Sequence, residues 1–450
     1  MCQKENKAAI RGRITVKGIL QLDAPLLIAE GASSNERGGL DIHVLQNRDG
    51  VPFIPGTSLA GVLRSAVKDD NVRNLLFGTI DKKNPQQSAV LLYDVLLANA
   101  KIGVRDGVSI DPVTGTAIKG YKYDYEVVEK GAEGDFYAEI VLRQIHAGQK
   151  EALTQELRHL CRLLCSGFHV GALTTKGFGR VYMTQIDIDC YDFRNFDDVA
   201  AWLSPERKPA VMHWDESDFL EADKDHPYSA AEDFMIEADF VLTGSLIVRD
   251  KDDDKDVAAT MKKSGGEYII PGTSLKGVLR HRAAYILHAL GMGREFANDR
   301  IDSLMGTTAA RSRFVVEETT VAAAAHAQTR NRIDRFTGGT IKSALFSTEP
   351  IWRKNDGVHS VTLRFGVHRA NTWEAGLCVL LLKDLWLGRI AIGGEKSIGR
   401  GTLEGLRAVI HDRGQCYELA QEQPFDTETM QILQNYVAAL HQIQTKEVEA

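Results

Sequence analysis

A chain of 450 residues, 44% hydrophobic and 26% charged, is long enough for two or three domains, each burying an ordinary core. A net charge of −7 argues against a protein that coats nucleic acid by bulk electrostatics, though it leaves room for a local basic track. No apolar run approaches the roughly 20 residues of a membrane span, the start MCQKENKAAIRGR shows no secretory signal, and cysteines at 2, 161, 165, 190, 378 and 416 form no CxxC pair, so a reduced, cytoplasmic protein is expected.

In chain order, RITVKGILQLDAPLLIA reads as a strand, followed by the Gly/Ser-rich loop GASSNERGGL and a hairpin turn at Asp49-Gly50. PFIPGTS ends a strand and opens a helix from about Ser58 into the seventies, with Leu59, Val62, Leu63, Ala66 and Val67 at helical spacing. SAVLLYDVLL is a strand, 100–125 a long polar excursion, and DFYAEIVLR another strand. A helix over 150–165 and a strand pair around TTKGFGRVYMTQIDI complete the half. Strand, helix, strand, strand, helix, strand is a ferredoxin-like order.

The same order returns from about Met235 to Ile410. IPGTSLAGVLR at 54–64 answers IPGTSLKGVLR at 270–280, identical in ten of eleven letters. LFGT at 76–79 answers LMGT at 304–307, IDPVTGTAIK at 110–119 answers IDRFTGGTIK at 333–342, and GALTTKGFGRV at 171–181 answers GGEKSIGRGTL at 393–403. Ordered matches at offsets of 216 to 228 mean one domain duplicated. The expected fold is α+β: tandem ferredoxin-like (RRM-like) domains at 1–192 and 235–410 with inserted thumb segments, an acidic linker at 193–234 and a helical tail at 411–450. A ligand that meets both copies in succession is naturally a linear polymer.

In IPGTSLxGVLR, Thr57, Ser58, Thr273 and Ser274 have the chemistry of helix N-caps. The helix start they mark suits a phosphate, with Gly61 and Gly277 permitting close approach and Lys276, Arg64 and Arg280 supplying charge. Read alone, the element is an ordinary capped helix. The glycine loops near each domain end carry Lys176 with Arg180, and Lys396 with Arg400, a repeated pairing that favours anion binding over a plain tight hairpin. Lys119 in the first excursion, and Arg332, Arg335 and Lys342 in the second, suit protruding fingers that grip a ligand. Asp41 ends the flexible loop before IPGTS, with His43 a candidate partner; Asp256, in a run of acids, is nearest the equivalent place in the second half. Either aspartate taken alone reads as a solvated loop residue. No HxxxH or HExxH spacing supports zinc.

Together these motifs resemble the RAMP superfamily of CRISPR proteins, and within it the backbone subunit of type III effector complexes, here two copies fused in one chain. The resemblance implies that each domain binds guide RNA through Thr57, Ser58, Arg64, Lys119, Lys176, Arg180, Thr273, Ser274, Lys276, Arg280, Arg332, Arg335, Lys342, Lys396 and Arg400. It implies thumbs at about 100–125 and 318–345, and cleavage of complementary target RNA at Asp41 and Asp256, each holding a divalent metal (Mg or Mn). Implied partners are guide RNA, target RNA and other effector subunits, with no membrane. Aromatic stacking platforms are not evident, so recognition is expected to rest on backbone shape and phosphates. The alternatives are a non-catalytic guide-RNA scaffold, a guide-RNA-processing endonuclease of the same superfamily, and an unrelated protein-binding repeat.

Overall fold

The computed structural model describes residues 7–31, 40–80, 85–111, 114, 116–204, 210, 212–215, 233–250, 257–353, 361–422 and 426–448. They divide into two compact units. The first comprises Met1–Ile110, Ala117–Thr174 and Phe178–Pro227; the second comprises Asp111–Thr116, Thr175–Gly177 and Tyr228–Ala450.

In the first unit the elements are β1 (Ile10–Leu22), α1 (Gly56–Ala66), α2 (Asp70–Phe77), β2 (Val90–Leu92), β3 (Ile102–Ile110), β4 (Ala117–Val128), β5 (Glu133–Arg143), α3 (Lys150–Ser166), β6 (Arg180–Asp192), α4 (Phe196–Leu203) and β7 (Met212–Asp215). The main sheet runs β7-β6-β1-β5-β2, with every one of these pairings antiparallel. Alternation on β1 sends Ile14 and Val16 to one face, where Leu153, Leu157, Leu160 and Leu164 of α3, spaced three and four apart, join the same buried cluster. Each such leucine or isoleucine contributes on the order of 1.5–3 kcal/mol on leaving water.

The second unit repeats the plan with β8 (Phe234–Leu242), α5 (Gly272–Ala289), α6 (Arg294–Met305), β9 (Phe314–Val316), β10 (Val361–Val367), α7 (Thr372–Trp386), β11 (Leu403–Asp412), β12 (Gln415–Ala420) and α8 (Thr427–Val448). Its sheet runs β12-β11-β8-β10-β9. Here α7 is apolar nearly all round, because α8 covers the side that the sheet does not. Leu433 and Leu440 are buried, and Gly376 lets the α8 backbone come so close that a Cβ there would lie 2.2 Å from the Tyr436 carbonyl oxygen.

Several local expectations change. The helix read from Ser58 into the seventies is two helices: Asp69 accepts from the Asn71 and Val72 amides, which starts α2 afresh. SAVLLYDVLL breaks at Tyr93-Asp94 into β2 and a short strand, Val95–Leu96, that pairs with Phe53–Ile54 instead. The excursion over 100–125 is the long hairpin β3–β4, and its surface is largely apolar and aromatic. Segments read as linker and tail carry the edge strands β7 and β12. No helix among the described residues is long and apolar enough to cross a membrane.

Candidate nucleic-acid interface

The residue that starts each IPGTS helix is the proline, not the hydroxyl pair. Pro55 (φ −60°, ψ 137°) and Pro271 (φ −59°, ψ 137°) occupy the N-cap positions, and neither Thr57, Ser58, Thr273 nor Ser274 makes a capping side-chain bond. The proline fixes the extended φ/ψ that the cap position needs. Its carbonyl accepts the Ser58 amide at 2.9 Å, as Pro271 does for Ser274. The Gly56 amide is met by Asp94 Oδ1 at 2.8 Å. Thr57 is exposed, while Ser58, Thr273 and Ser274 are half-buried. One face of each helix is bare: a Cβ added at Gly61 or at Gly277 would meet nothing within 4 Å. Glycine in mid-helix lowers stability by about 0.5–1 kcal/mol relative to alanine, and packing within the fold does not require it at either place.

Arg64 and Arg280 perform the same task in the two copies. Arg64 Nη1 donates to the carbonyls of Phe77 (3.2 Å) and Gly78 (2.8 Å) at the end of α2, and Arg280 Nη1 donates to the Gly306 carbonyl (3.2 Å) at the end of α6. Arg280 also pairs with Asp302. These bonds satisfy helix-end carbonyls and explain why the arginine and the LxGT turn repeat together. In the glycine loops, Gly179 (φ 72°) and Gly401 (φ 84°) are required by close approach: a Cβ would fall 1.9 Å from the Val170 and Ile392 carbonyl oxygens respectively. Arg180 Nη1 holds Asp23 at 2.7 Å. Arg400 is only 2% exposed, and its guanidinium is engaged by Glu395 (2.8 Å) and Ser245 (2.6 Å) and by Gln328. Glu395, at φ 56°, also takes Arg249 and Arg330. Burial works to raise its pKa, but the hydrogen bonds from Arg330, Arg249 and Arg400 hold it below the usual carboxylate range.

Around α5 the second unit gathers cations. Lys276 is buried, and its ammonium donates to Thr175 O (3.2 Å), Thr175 Oγ1 (3.0 Å), Ser312 Oγ (2.7 Å) and Phe314 O (2.8 Å). Burial, then the charges of Lys176 and Arg280, pull its pKa down to about 7. Burial and Arg280 likewise lower Lys176. Burial, Lys396 and Arg280 lower His281, with Asp111 acting the other way; burial lowers Lys396. Lys176, Lys276 and His281 each feel another member as a like charge, and Lys176 and Lys396 make no ion pair among the described residues. Such a cluster favours an anion. The first copy has Ala60 where the second has Lys276.

Asp41 is exposed beside the hairpin. Its Oδ2 accepts the Asp124 amide at 2.9 Å, and its own amide donates to Asp124 O at 3.2 Å. The next residues run parallel to β4 through Ile42 and Tyr125. Glu126 secures them, accepting the Val44 amide at 3.0 Å while facing His43 Nδ1 at 3.3 Å. No group of three His, Cys, Asp or Glu among the described residues gathers to hold a metal. Asp124 Oδ1 is buried without a hydrogen bond, although Lys122 stands 3.5 Å away. Asp41 with Asp124 thus fits an Mg- or Mn-type ion that keeps waters and takes one or two carboxylates plus a phosphate. Asp256 lies outside the described residues.

The repeated ID-x-x-TG element is a turn. Asp334 accepts the Phe336 and Thr337 amides, both at 2.9 Å, and Asp111 accepts the Thr114 amide at 2.7 Å and its hydroxyl at 3.1 Å. In the second copy this turn leaves Phe336 fully exposed, with Arg332, Arg335 and Lys342 also exposed and making no ion pair among the described residues. Lys119 is equally exposed in the first. Across the first sheet, Thr15, Glu139, Asp189 and His213 stand in register on the face opposite Ile14, a carboxylate-bearing strip ill suited to phosphate. One set of residues escaped the sequence reading: Tyr121, Tyr123 and Tyr125 share a face of β4. The alternation YKYDY was its signal.

Comparison with known proteins agrees with this repetition. Over 208 residues the chain is 25% identical to the CRISPR system Cms endoribonuclease Csm3 of Methanocaldococcus jannaschii, an alignment covering 40% of this chain and 82% of that protein. Residues 19–182 and 239–404 each match the RAMP superfamily domain, one match on each copy of the IPGTS helix and glycine loop, and the chain belongs to the RAMP superfamily.

Proposed function

We propose that this chain is a double backbone subunit of a type III CRISPR effector complex, working in the cytoplasm with other effector subunits. It binds guide RNA along both units and cleaves complementary target RNA at one or both of the loop aspartates, Asp41, beside the hairpin of the first unit, and Asp256. The strand order, fourth-first-third-second within each sheet, supports reading each unit as ferredoxin-like. The observation that carries RNA binding is the set of mutually repelling cations around α5, beside a helix face left bare at Gly277. A phosphate backbone relieves that repulsion and can approach a helix lacking a side chain at its centre.

For cleavage, Asp41 is the acting group, and the Asp124 amide and the Glu126–His43 brace fix where it stands. A divalent ion held by Asp41, with Asp124 behind it, would stabilise charge on the scissile phosphate. The protein's own share is to hold the carboxylate beside a hairpin that keeps one nucleotide out of the duplex, where its 2′-hydroxyl can come in line with the phosphate. A non-catalytic scaffold is the competing reading, favoured by the bond from the Asp124 amide, which gives Asp41 a structural task.

The deciding experiment uses the purified effector complex with guide and complementary target, mapping cuts in Mg²⁺ or Mn²⁺ for wild type, Asp41→Ala, Asp256→Ala and the double variant. Loss of one distinct cut per substitution, with target binding intact, supports two active sites. Unchanged cuts in all variants leave the scaffold reading.

A further inference from the structure

We propose that the first unit binds a small apolar carboxylate in a cavity between α3 and the sheet, with its apolar body inside and its charge met by Arg11 and Arg143. The cavity measures about 560 Å³, within the range of about 300–1,000 Å³ common for small-molecule sites. Protein interiors seldom leave a void larger than a water molecule. Ile14 of β1, Leu153 and Leu157 of α3, and Met212 and Trp214 of β7 form its apolar wall. Arg158 stands 5.2 Å from the Trp214 ring centre and holds the indole from outside the cavity lining. Between β5 and α3 the chain makes one 3₁₀ turn, Gln144–Gln149, which brings His146 into the wall.

The polar groups in the lining are few. Asp192 pairs with Arg194 at 2.5 Å, and Asp198 Oδ2 accepts the Asp192 amide at 3.1 Å. Arg11 and Arg143 instead donate to neutral side chains, Gln144 Oε1 at 2.6 Å and Gln87 Oε1 at 3.3 Å, and make no ion pair among the described residues. His146 is 5% exposed, and its Nδ1 accepts the Arg143 amide at 2.9 Å, which puts the ring proton on Nε2. Nε2 makes no hydrogen bond among the described residues. Burial, then the Arg143 charge, lowers the His146 pKa, so the ring is a neutral donor. Two guanidiniums and one N–H beside an apolar wall suit a carboxylate on a hydrocarbon chain or ring. Asp192 and Asp198 stand too near to welcome a second negative charge, which favours a carboxylate over a phosphate. None of the residues assigned to RNA lines the cavity.

Decanoate is titrated into the full-length chain by isothermal titration calorimetry, with decanol and decyltrimethylammonium as controls. One decanoate should bind per chain, decanol about 10-fold more weakly and the ammonium not at all. Arg11→Gln with Arg143→Gln should reduce decanoate to the affinity of decanol, a loss of about 10-fold. Thr154→Trp, which fills space beside Leu153 and Leu157, should abolish binding of both; thermal melts check its fold, and if it unfolds the arginine pair decides alone. Equal affinities for decanoate and decanol, or an arginine pair that changes nothing, overturn the carboxylate site. No binding by wild type, or many weak sites per chain as a surfactant gives, overturns it too. So does binding seen only in Phe219→Ser with Leu220→Ser, which would assign the cavity to the chain's own segment after β7.

Discussion

Gly61 and Gly277 separate stability from function more cleanly than any other positions. Each lies inside a helix, and a Cβ at either meets no atom within 4 Å. Replacing either by alanine therefore adds no clash and removes the backbone-entropy handicap of a helical glycine, a gain of about 0.5–1 kcal/mol per site. For a unit of about 200 residues that corresponds to roughly 1–4 °C in Tm. If the bare face exists so that an RNA backbone can come close, Gly277→Ala should weaken RNA binding while raising Tm, and Gly277→Leu should weaken it further. Thermal melts and filter binding on the same preparations measure both quantities. A lower Tm for the alanine variants would show that the face is not open, and unchanged RNA affinity in Gly277→Leu would refute its role as the approach surface.

Arg64→Ala should lower stability by about 1–3 kcal/mol, because the Phe77 and Gly78 carbonyls lose their donor; urea unfolding measures it, and a shift under 0.5 kcal/mol would remove the structural explanation of the repeated arginine. Bound phosphate favours the charged forms of Lys176, Lys276 and His281, whose pKa values are lowered in the free protein. RNA binding should therefore take up protons and weaken as pH rises from about 6 to 8.5; an affinity independent of pH would count against the cation cluster as the site. For folding the sign is opposite. With Lys276 at about 7 in the native state and near 10.5 when unfolded, the unfolded chain holds more protons between those values. The wild-type unfolding free energy should thus rise relative to Lys276→Met between pH 7 and 9, and a falling difference would contradict it. Gly376→Val should drive α8 off α7, since even a Cβ lies 2.2 Å from Tyr436 O. Limited proteolysis after residue 422 should then speed up, and an unaltered digest would mean the two helices do not depend on that contact.

The sequence by itself determined the duplication, the alternation of strands and helices in each half, and the motifs that carry family membership. Those properties are local or repetitive: Leu153, Leu157, Leu160 and Leu164 announce a helix whatever lies opposite, and eleven nearly identical residues cannot be misread. The tertiary structure decided what the motif residues do. Lys276, Arg64, Arg280 and Arg400 look alike in the sequence as cations available to a phosphate. Their partners lie beyond any local pattern, Phe77 and Gly306 at the end of the following helix, Thr175 and Ser245 more than 100 residues away, so only folding reveals that these four are held internally while Lys396, Arg332, Arg335 and Lys342 stay exposed. The helix caps went to proline because backbone angles, not hydroxyl chemistry, set that junction. The tyrosine face on β4 needed the hairpin register to place Gly107 beneath Tyr123. Pairing between strands is a long-range choice, and composition alone does not fix it.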